Sequence, residues 1–410
     1  MDPENFREQG KRMVDYIADY WDGIRSRNPV PDVEPGYIWQ SLPVEAPKSA
    51  DGWDKIFDDI DPIVTDKNAH WMHPHFYAYY PSAGSYPAIM GDMLSGAMGG
   101  LGLNWESSPA GVELELRVVD WIAKAVGLPH QFWNDDAGSG GGMIVGTASE
   151  GVLTALLAAR DAMVKRHGKS VIPRLMAYSS DQAHSSVERA MLLAAVAMRK
   201  VPTTNQNHYG LTTDALEATI LADLEAGFVP FFLCACIGTT SSCAMDKLDE
   251  LVGVARKHQL WVHVDAAYAA SAAICPEHRN ILKGVEDINS FNLNPHKWLL
   301  MHFECSILWL DKLDSVSSAF AKSKEDFPML SSQCVSTGMT SISDHQIQNS
   351  RKLRALKIWF VLRRFGIGGL QDHVRQTCKL AKQFGSMVTR SDRFELFVPV
   401  TMGLVCFRLK

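Results

Sequence analysis

Four apolar runs, set apart by helix-like segments, constrain this chain more than any other feature: 174–180, 229–237, 261–265 and 290–293. Each ends in small or polar residues: Ser180-Asp181, Gly238 to Ser242, Asp265, and Asn294. Strands alternating with helices, with ligand-type residues at the strand ends, describe a doubly wound α/β fold on a mostly parallel sheet. Ligands of such sheets bind beyond the carboxyl ends of the strands.

Two of those ends carry opposite charges. Asp265 closes Trp261-Val262-His263-Val264-Asp265, a strand too apolar to be exposed, and Lys297 follows 32 residues later in Asn294-Pro295-His296-Lys297-Trp298. That interval holds a helix-containing crossover. Most lysines are surface charges; this one follows a buried strand next to another that ends in an acid. Such a pair suits pyridoxal phosphate, with the lysine holding it as a Schiff base and the acid keeping its pyridine nitrogen protonated.

Composition narrows the alternatives. With 46% apolar and 21% charged residues over 410 positions, the chain reads as globular and large enough for more than one domain. A net charge of -6 offers no basic field for nucleic acid or anionic membrane, and no apolar run approaches the ~20 residues of a spanning helix. The eight cysteines are scattered without a Cys-x-x-Cys pair, and the polar Met1 to Glu8 segment lacks a signal core. A cytoplasmic protein with reduced thiols, no metal and a small-molecule substrate is expected.

Along the chain, Phe6, Met13, Tyr16, Ile17, Tyr20 and Trp21 recur at helical spacing and require a partner, within the chain or on a second subunit. Prolines 29, 31 and 35 then make an extended connector. The segment from Phe76 to Pro87 mixes Tyr with Ser, Gly and Pro; it carries too many hydroxyls for a dry core and suits the wall of a pocket for flat substrates. Gly138 to Gly142 and then Gly146-Thr147-Ala148-Ser149 precede a strong helical pattern, and their N–H groups can receive a phosphate, although Ser149 also suits a plain N-cap. His184, after the 174–180 strand, lies where a cofactor ring can be stacked upon and a proton exchanged. Residues 328–343 are rich in Ser, Thr and Met with weak periodicity, as in a mobile lid or a plain connector. Helical patterns return over 351–365 and 369–387, and strand-like alternation over 394–409.

Three of these segments together, Ser180-Asp181-Gln182-Ala183-His184-Ser185-Ser186, His263-Val264-Asp265-Ala266-Ala267-Tyr268 and Asn294-Pro295-His296-Lys297-Trp298, resemble the aromatic L-amino acid decarboxylase family of pyridoxal-phosphate enzymes, which also holds tyrosine, tryptophan and histidine decarboxylases. The resemblance covers nearly the whole chain. It implies the aspartate-aminotransferase-like type I fold, in three parts: an N-terminal helical segment over 1–80, a cofactor-binding large domain over 81–354 with a mobile loop near 322–345, and a small C-terminal domain over 355–410. It implies Lys297 as the Schiff-base lysine, Asp265 as the pyridinium partner and His184 as the ring-stacking acid/base group. Ala148, Ser149, Asn294 and His296 resemble phosphate contacts, Thr240 a further cofactor contact and Ala267 the small residue beneath the ring. Tyr79, Tyr80, Pro81 and Ser82 resemble the substrate wall, Leu101 and Leu103 positions lent to a neighbouring subunit's pocket, and Ser350 a position where serine goes with phenolic or imidazole rings. A homodimer with interfacial active sites is implied.

The chain departs from the family in two places. The family's loop tyrosine, which protonates the product carbon, has no counterpart: no tyrosine follows Tyr268, and Phe327 and Met329 stand near that position. Phenylalanine has no proton to give, and family members with it resemble aldehyde synthases, which decarboxylate and oxidatively deaminate. Histidine at 184 argues partly against that, because another group of aldehyde synthases has Asn there. Family chains also continue past Phe407-Arg408-Leu409-Lys410, so an uncovered strand edge, with poor solubility or swapped pairing, is expected. An amine-forming decarboxylase, an aldehyde-forming one and an inert dimer partner all fit the sequence. An aminotransferase fits less well, since no arginine is identifiable as a carboxylate clamp, and the aromatic wall disfavours glutamate.

Overall fold

The computed structural model describes all residues except 1, 78, 81–83, 101–104, 106, 136–138, 321–341 and 349. Backbone contacts divide the chain into two units, Met1–Pro81 and Ser82–Lys410.

The first unit is built on helix α1 (Pro3–Asp22), which starts with Asp2 accepting from the Glu4 N–H and with Pro3 in the first turn. None of its residues is buried. It is held within its unit by polar contacts: Tyr16 donates to Asp61 (2.8 Å), and Tyr20 meets His70 Nδ1 (2.9 Å). The expected helix over 6–21 is therefore present, secured by hydroxyl contacts.

The second unit is organised on a seven-stranded sheet, β1 (Gly141–Val145), β2 (Leu175–Ser180), β3 (Ala197–Val201), β4 (Val229–Cys236), β5 (Trp261–Asp265), β6 (Ser290–Leu293) and β7 (Ser306–Leu310). The order is β1-β7-β6-β5-β4-β2-β3. From β3 to β6 neighbours run parallel, whereas β7 is antiparallel to both β6 and β1. β1 therefore runs in the same direction as the parallel set. Reversing one strand leaves the carboxyl ends of β1, β2, β4, β5 and β6 on one edge.

Helices cover the sheet: α2 (Tyr86–Met98), α3 (Pro109–Val126), α4 (Ala148–His167), α5 (Ser185–Leu193), α6 (Thr213–Glu225), α7 (Leu248–Lys257), a single turn α8 (Pro295–Trp298) and the long α9 (Ala355–Thr389). Val152, Leu156, Val187 and Met191 from α4 and α5 pack with Leu175, Ala177 and Phe232 of the strands in one buried cluster. This two-sided burial explains why β2 and β4 read as unbroken apolar runs. Helix α9 departs from helical geometry at Gly366 (φ 66°), which joins the two expected helices over 351–365 and 369–387. It approaches α2 so closely that a side chain at Gly91 would stand 2.7 Å from Lys357 Cα. The expected C-terminal alternation resolves into one antiparallel hairpin, β8 (Phe394–Leu396) with β9 (Phe407–Leu409).

Two details differ from the sequence reading. Gly141 and Gly142 lie within β1 itself, because the Asn134 side chain and Trp309 occupy the space that side chains there would need. The helix expected between Asp265 and the Lys297 strand is instead a series of 3-10 turns over 269–287, where small residues such as Ala269, Ala270, Ser271 and Ala272 are buried.

Candidate active site

The shared strand edge creates a cavity of about 180 Å³ lined by Thr147, Ala148 and Ser149 after β1, His184 and Ser186 after β2, Cys236 to Thr240 after β4 (excluding Ile237), Asp265 and Ala267 after β5, and Asn294, His296, Lys297 and Phe303 after β6. All of these groups but Phe303 lie at or just beyond the end of a strand, as in ligand sites of parallel sheets generally.

Thr147 caps α4, its Oγ1 accepting from the Glu150 N–H at 3.4 Å. The expected capping role of Ser149 thus falls to Thr147, and Ser149 stays exposed at the cavity. The N–H groups of Ala148 and Ser149 belong to the first turn, where a helix has no acceptor of its own for them. Glu150 Oε2 accepts from the Gly146 N–H (2.8 Å) and closes the turn.

His184 caps α5: its Nδ1 accepts from the Ser186 N–H (3.1 Å) and lies 2.8 Å from Ser186 Oγ. A nitrogen that accepts is unprotonated, so the proton of the neutral ring is on Nε2. Beyond β4, the Thr239 hydroxyl accepts from Ala244 N–H (3.0 Å) and tightens the loop that presents Thr240. Gly238 is required there, having φ 89° and a backbone against which a Cβ would come 2.5 Å from Ala269 Cβ.

Asp265 pairs in register with Cys236 on one side and Asn292 on the other, deep among apolar strands. Its Oδ1 accepts from the Ala267 N–H at 3.2 Å. Burial lowers the Lys297 pKa, and the Asp265 carboxylate acts in the opposite direction. His296 is buried, which pushes its imidazole down to about 4, and its Nδ1 lies against the backbone of Cys305, 2.6 Å from O and 3.1 Å from N. Ser306 Oγ (2.6 Å) and Asn292 Nδ2 (3.2 Å) both donate to Asn294 Oδ1, so the NH2 of Asn294 is the end left to serve a ligand. Beyond Lys297, Trp298 stacks on Tyr268 at 4.7 Å between centroids and donates to Thr377 Oγ1 (2.9 Å) on α9.

The cavity therefore brings together Ala148, Ser149, His184, Thr240, Asp265, Ala267, Asn294, His296 and Lys297. Ser350 is exposed and is not among the lining residues. Tyr79 and Tyr80 belong to the N-terminal unit, with Tyr79 largely exposed at φ 58°. Pro81, Ser82, Leu101 and Leu103 lie outside the described residues, as do Phe327 and Met329. The sequence reading missed Phe303 as a lining residue. Nothing in its local pattern gives it away, because it reaches the cavity only after the chain turns back from α8 toward β7, its ring meeting that of His296 edge-on at 4.9 Å. Thr147, Ser186, Cys236, Gly238 and Thr239 were legible only as members of the surrounding runs. A wider groove of about 760 Å³, lined by Glu277, Arg375, Cys378 and Lys382 among others, holds none of these groups. Among the described residues no cluster of His, Cys, Asp or Glu has metal-binding geometry, and no helix is long and apolar enough to cross a membrane.

Comparison with known proteins agrees with this arrangement. Residues 35–410 match the pyridoxal-dependent decarboxylase conserved domain. The chain is 44% identical over 419 residues to the pig aromatic-L-amino-acid decarboxylase, covering all of this chain and 85% of that protein. Among solved structures, it resembles Oryza sativa TDC with PLP and tryptamine (TM-score 0.97, 37% identity) and Rhodiola rosea 4-hydroxyphenylacetaldehyde synthase (TM-score 0.93, 37% identity). Each comparison covers all of this chain, and 84% and 85% of those chains respectively. The chain belongs to the pyridoxal-dependent decarboxylase family and is a carboxy-lyase with the type I fold.

Proposed function

We propose that this enzyme decarboxylates an aromatic L-amino acid to the arylalkylamine and CO2, with pyridoxal phosphate in the cavity described above. The observation that carries the reading is the half-buried Lys297, its pKa lowered by burial, in one cavity with a carboxylate at the end of the neighbouring strand. The residues fit the cofactor. Lys297 would hold its carbonyl carbon, Asp265 its ring nitrogen, and the first turn of α4 with Ser149, Asn294 and His296 its phosphate. Thr240 would supply a further contact, His184 would stack on the ring, and Ala267, already fixed by its N–H to Asp265, would leave room beneath it. When bound, the cofactor supplies an electron-withdrawing ring that takes up the electron pair left by the departing carboxylate.

The chain's own groups do the rest. A lysine whose charged form is disfavoured by burial is more readily present as the free, nucleophilic amine than an exposed one is. Asp265, fixed by the Ala267 N–H, favours a proton on the group facing it, and the Nε2 proton of His184 is available for exchange. The aromatic class of substrate is supported by the likeness to the pig enzyme and by Phe303 at the cavity, with Tyr79, Tyr80, Pro81 and Ser82 proposed as the wall and Ser350 as a minor determinant of ring type.

A homodimer in a reducing cytoplasm is part of this reading. α2 leaves Tyr86, Met90, Met93 and Leu94 about half-exposed on one helix, an apolar face for which a second copy is the proposed partner. Leu101 and Leu103, close beyond that helix, would then serve the partner's pocket. The described cysteines other than Cys406 are buried free thiols, as a reducing setting allows.

One observation favours a second product. No tyrosine follows Tyr268, so the segment after Phe320 contains no phenolic proton donor, and the chain is 37% identical to an aldehyde synthase. In that outcome the amino acid, dioxygen and water give the aldehyde, CO2, ammonia and hydrogen peroxide. Incubating the holoenzyme with tyrosine, Dopa, phenylalanine, tryptophan, 5-hydroxytryptophan and histidine, while following CO2, amine, aldehyde and peroxide, decides among the readings. Amine stoichiometric with CO2 supports the first, and peroxide matching aldehyde supports the second. No CO2 from any of them refutes both and favours an inert dimer partner.

A further inference from the structure

Phe303 lines the cavity although half its surface is exposed, so something must hold the loop that carries it. That loop, between α8 and β7, includes Leu300 at φ 59°, a conformation that a branched residue adopts only under restraint. Two helices hold it. From the start of α2, Ser85 Oγ donates to the Leu300 carbonyl (2.7 Å). From α9, Lys357 Nζ donates to the Phe303 carbonyl (3.3 Å) and the His302 carbonyl (3.5 Å) and pairs with Asp92 of α2 at 2.9 Å. Lys357 is only 4% exposed, and its three ammonium donors are matched by three acceptors.

A buried ammonium is a poor device for stability alone, because an apolar side chain of similar length avoids the desolvation cost. What an ammonium does, and a methyl group cannot, is fix two successive carbonyls at a set place relative to α2 and α9. Those carbonyls belong to Phe303 and its neighbour. We propose that Lys357, braced by Asp92, is a positioning residue that sets where Phe303 stands at the cavity and thereby how tightly the aromatic end of the substrate is held. The inference rests on the aromatic reading above and adds a determinant outside the cavity.

The test measures equilibrium binding of tyramine and tryptamine to the holoenzyme through the visible absorbance of the bound cofactor, alongside cofactor affinity and thermal stability. Lys357→Met is expected to weaken the tighter amine about tenfold, roughly as Phe303→Ala does, with cofactor affinity changing less than about threefold. Because Lys357 acts through Phe303, the double variant Lys357→Met/Phe303→Ala should bind about as weakly as Phe303→Ala alone. If Lys357→Met does not fold, Asp92→Asn, changed at a side chain that is 38% exposed, carries the same test with an expected loss of about two- to fivefold. Unchanged amine affinity in the folded variant, or losses that multiply in the double variant, would overturn the proposal. Wild-type holoenzyme that binds neither amine would instead refute the aromatic reading itself.

Discussion

Removing the guanidinium of Arg351 should destabilise the fold and loosen the turn at which phosphate is proposed to bind. β1 is an edge strand, and two charged side chains satisfy its outward backbone. Glu115 Oε1 accepts from the Ile144 N–H (2.9 Å), and Arg351 Nη1 donates to the Ile144 carbonyl (2.6 Å). The two close on each other, Arg351 Nη2 to Glu115 Oε2 at 2.6 Å, with side chains 2% and 4% exposed. In Arg351→Met a buried carboxylate loses its counter-charge and a buried carbonyl its donor, which costs about 3–5 kcal/mol. For a chain of this size that is a fall in Tm of roughly 5 °C. Pairing the change with Glu115→Gln removes the stranded charge and should recover about half of the loss. The assay is thermal unfolding of wild type, the two single variants and the double variant, with cofactor affinity measured in parallel, since Gly146 and Thr147 follow directly on β1. Equal Tm values for wild type and Arg351→Met, or a gap that does not respond to Glu115→Gln, would refute the reasoning.

Acid should destabilise the apoprotein through its buried histidines, with protonation of the buried Asp246 carboxyl, raised to about 6, offsetting part of the loss. Burial holds the imidazoles of His263 and His296 down at about 4, whereas an unfolded histidine titrates near 6.5. The unfolded chain binds protons first, so stability is complete above pH 6.5 and is lost as pH falls from there through 4, by up to about 3 kcal/mol for each group; a Tm independent of pH over that window would contradict this. At Gly151, an added Cβ would stand 2.3 Å from Asn292 Oδ1, and Asn292 orients Asn294. Gly151→Ala should therefore cost about 1–3 kcal/mol and weaken cofactor binding, read by titration of the apoprotein.

The fold class and the heart of the cavity were legible because burial on both faces leaves an unbroken apolar signature. Leu175 to Ser180 and Phe231 to Cys236 are buried throughout, and a charged residue ending such a strand stands out, as Asp265 does. The reversed strand β7 was not legible, since Ser306 to Leu310 has the same composition whichever way it runs. Nor was Phe303, whose place depends on carbonyls held from α2 and α9, or the Glu115–Arg351 pair, whose members are 236 residues apart. Contacts of that separation are set by packing and leave no trace in the local pattern.

The place of cofactor attachment is the most direct test of the proposed chemistry. Reducing the holoenzyme with borohydride, digesting it and sequencing the modified peptide by mass spectrometry should place the pyridoxyl group on Lys297 alone, with the visible band of the bound cofactor lost in Lys297→Ala. A pyridoxyl group on any other lysine, or an unchanged visible band in Lys297→Ala, would contradict it.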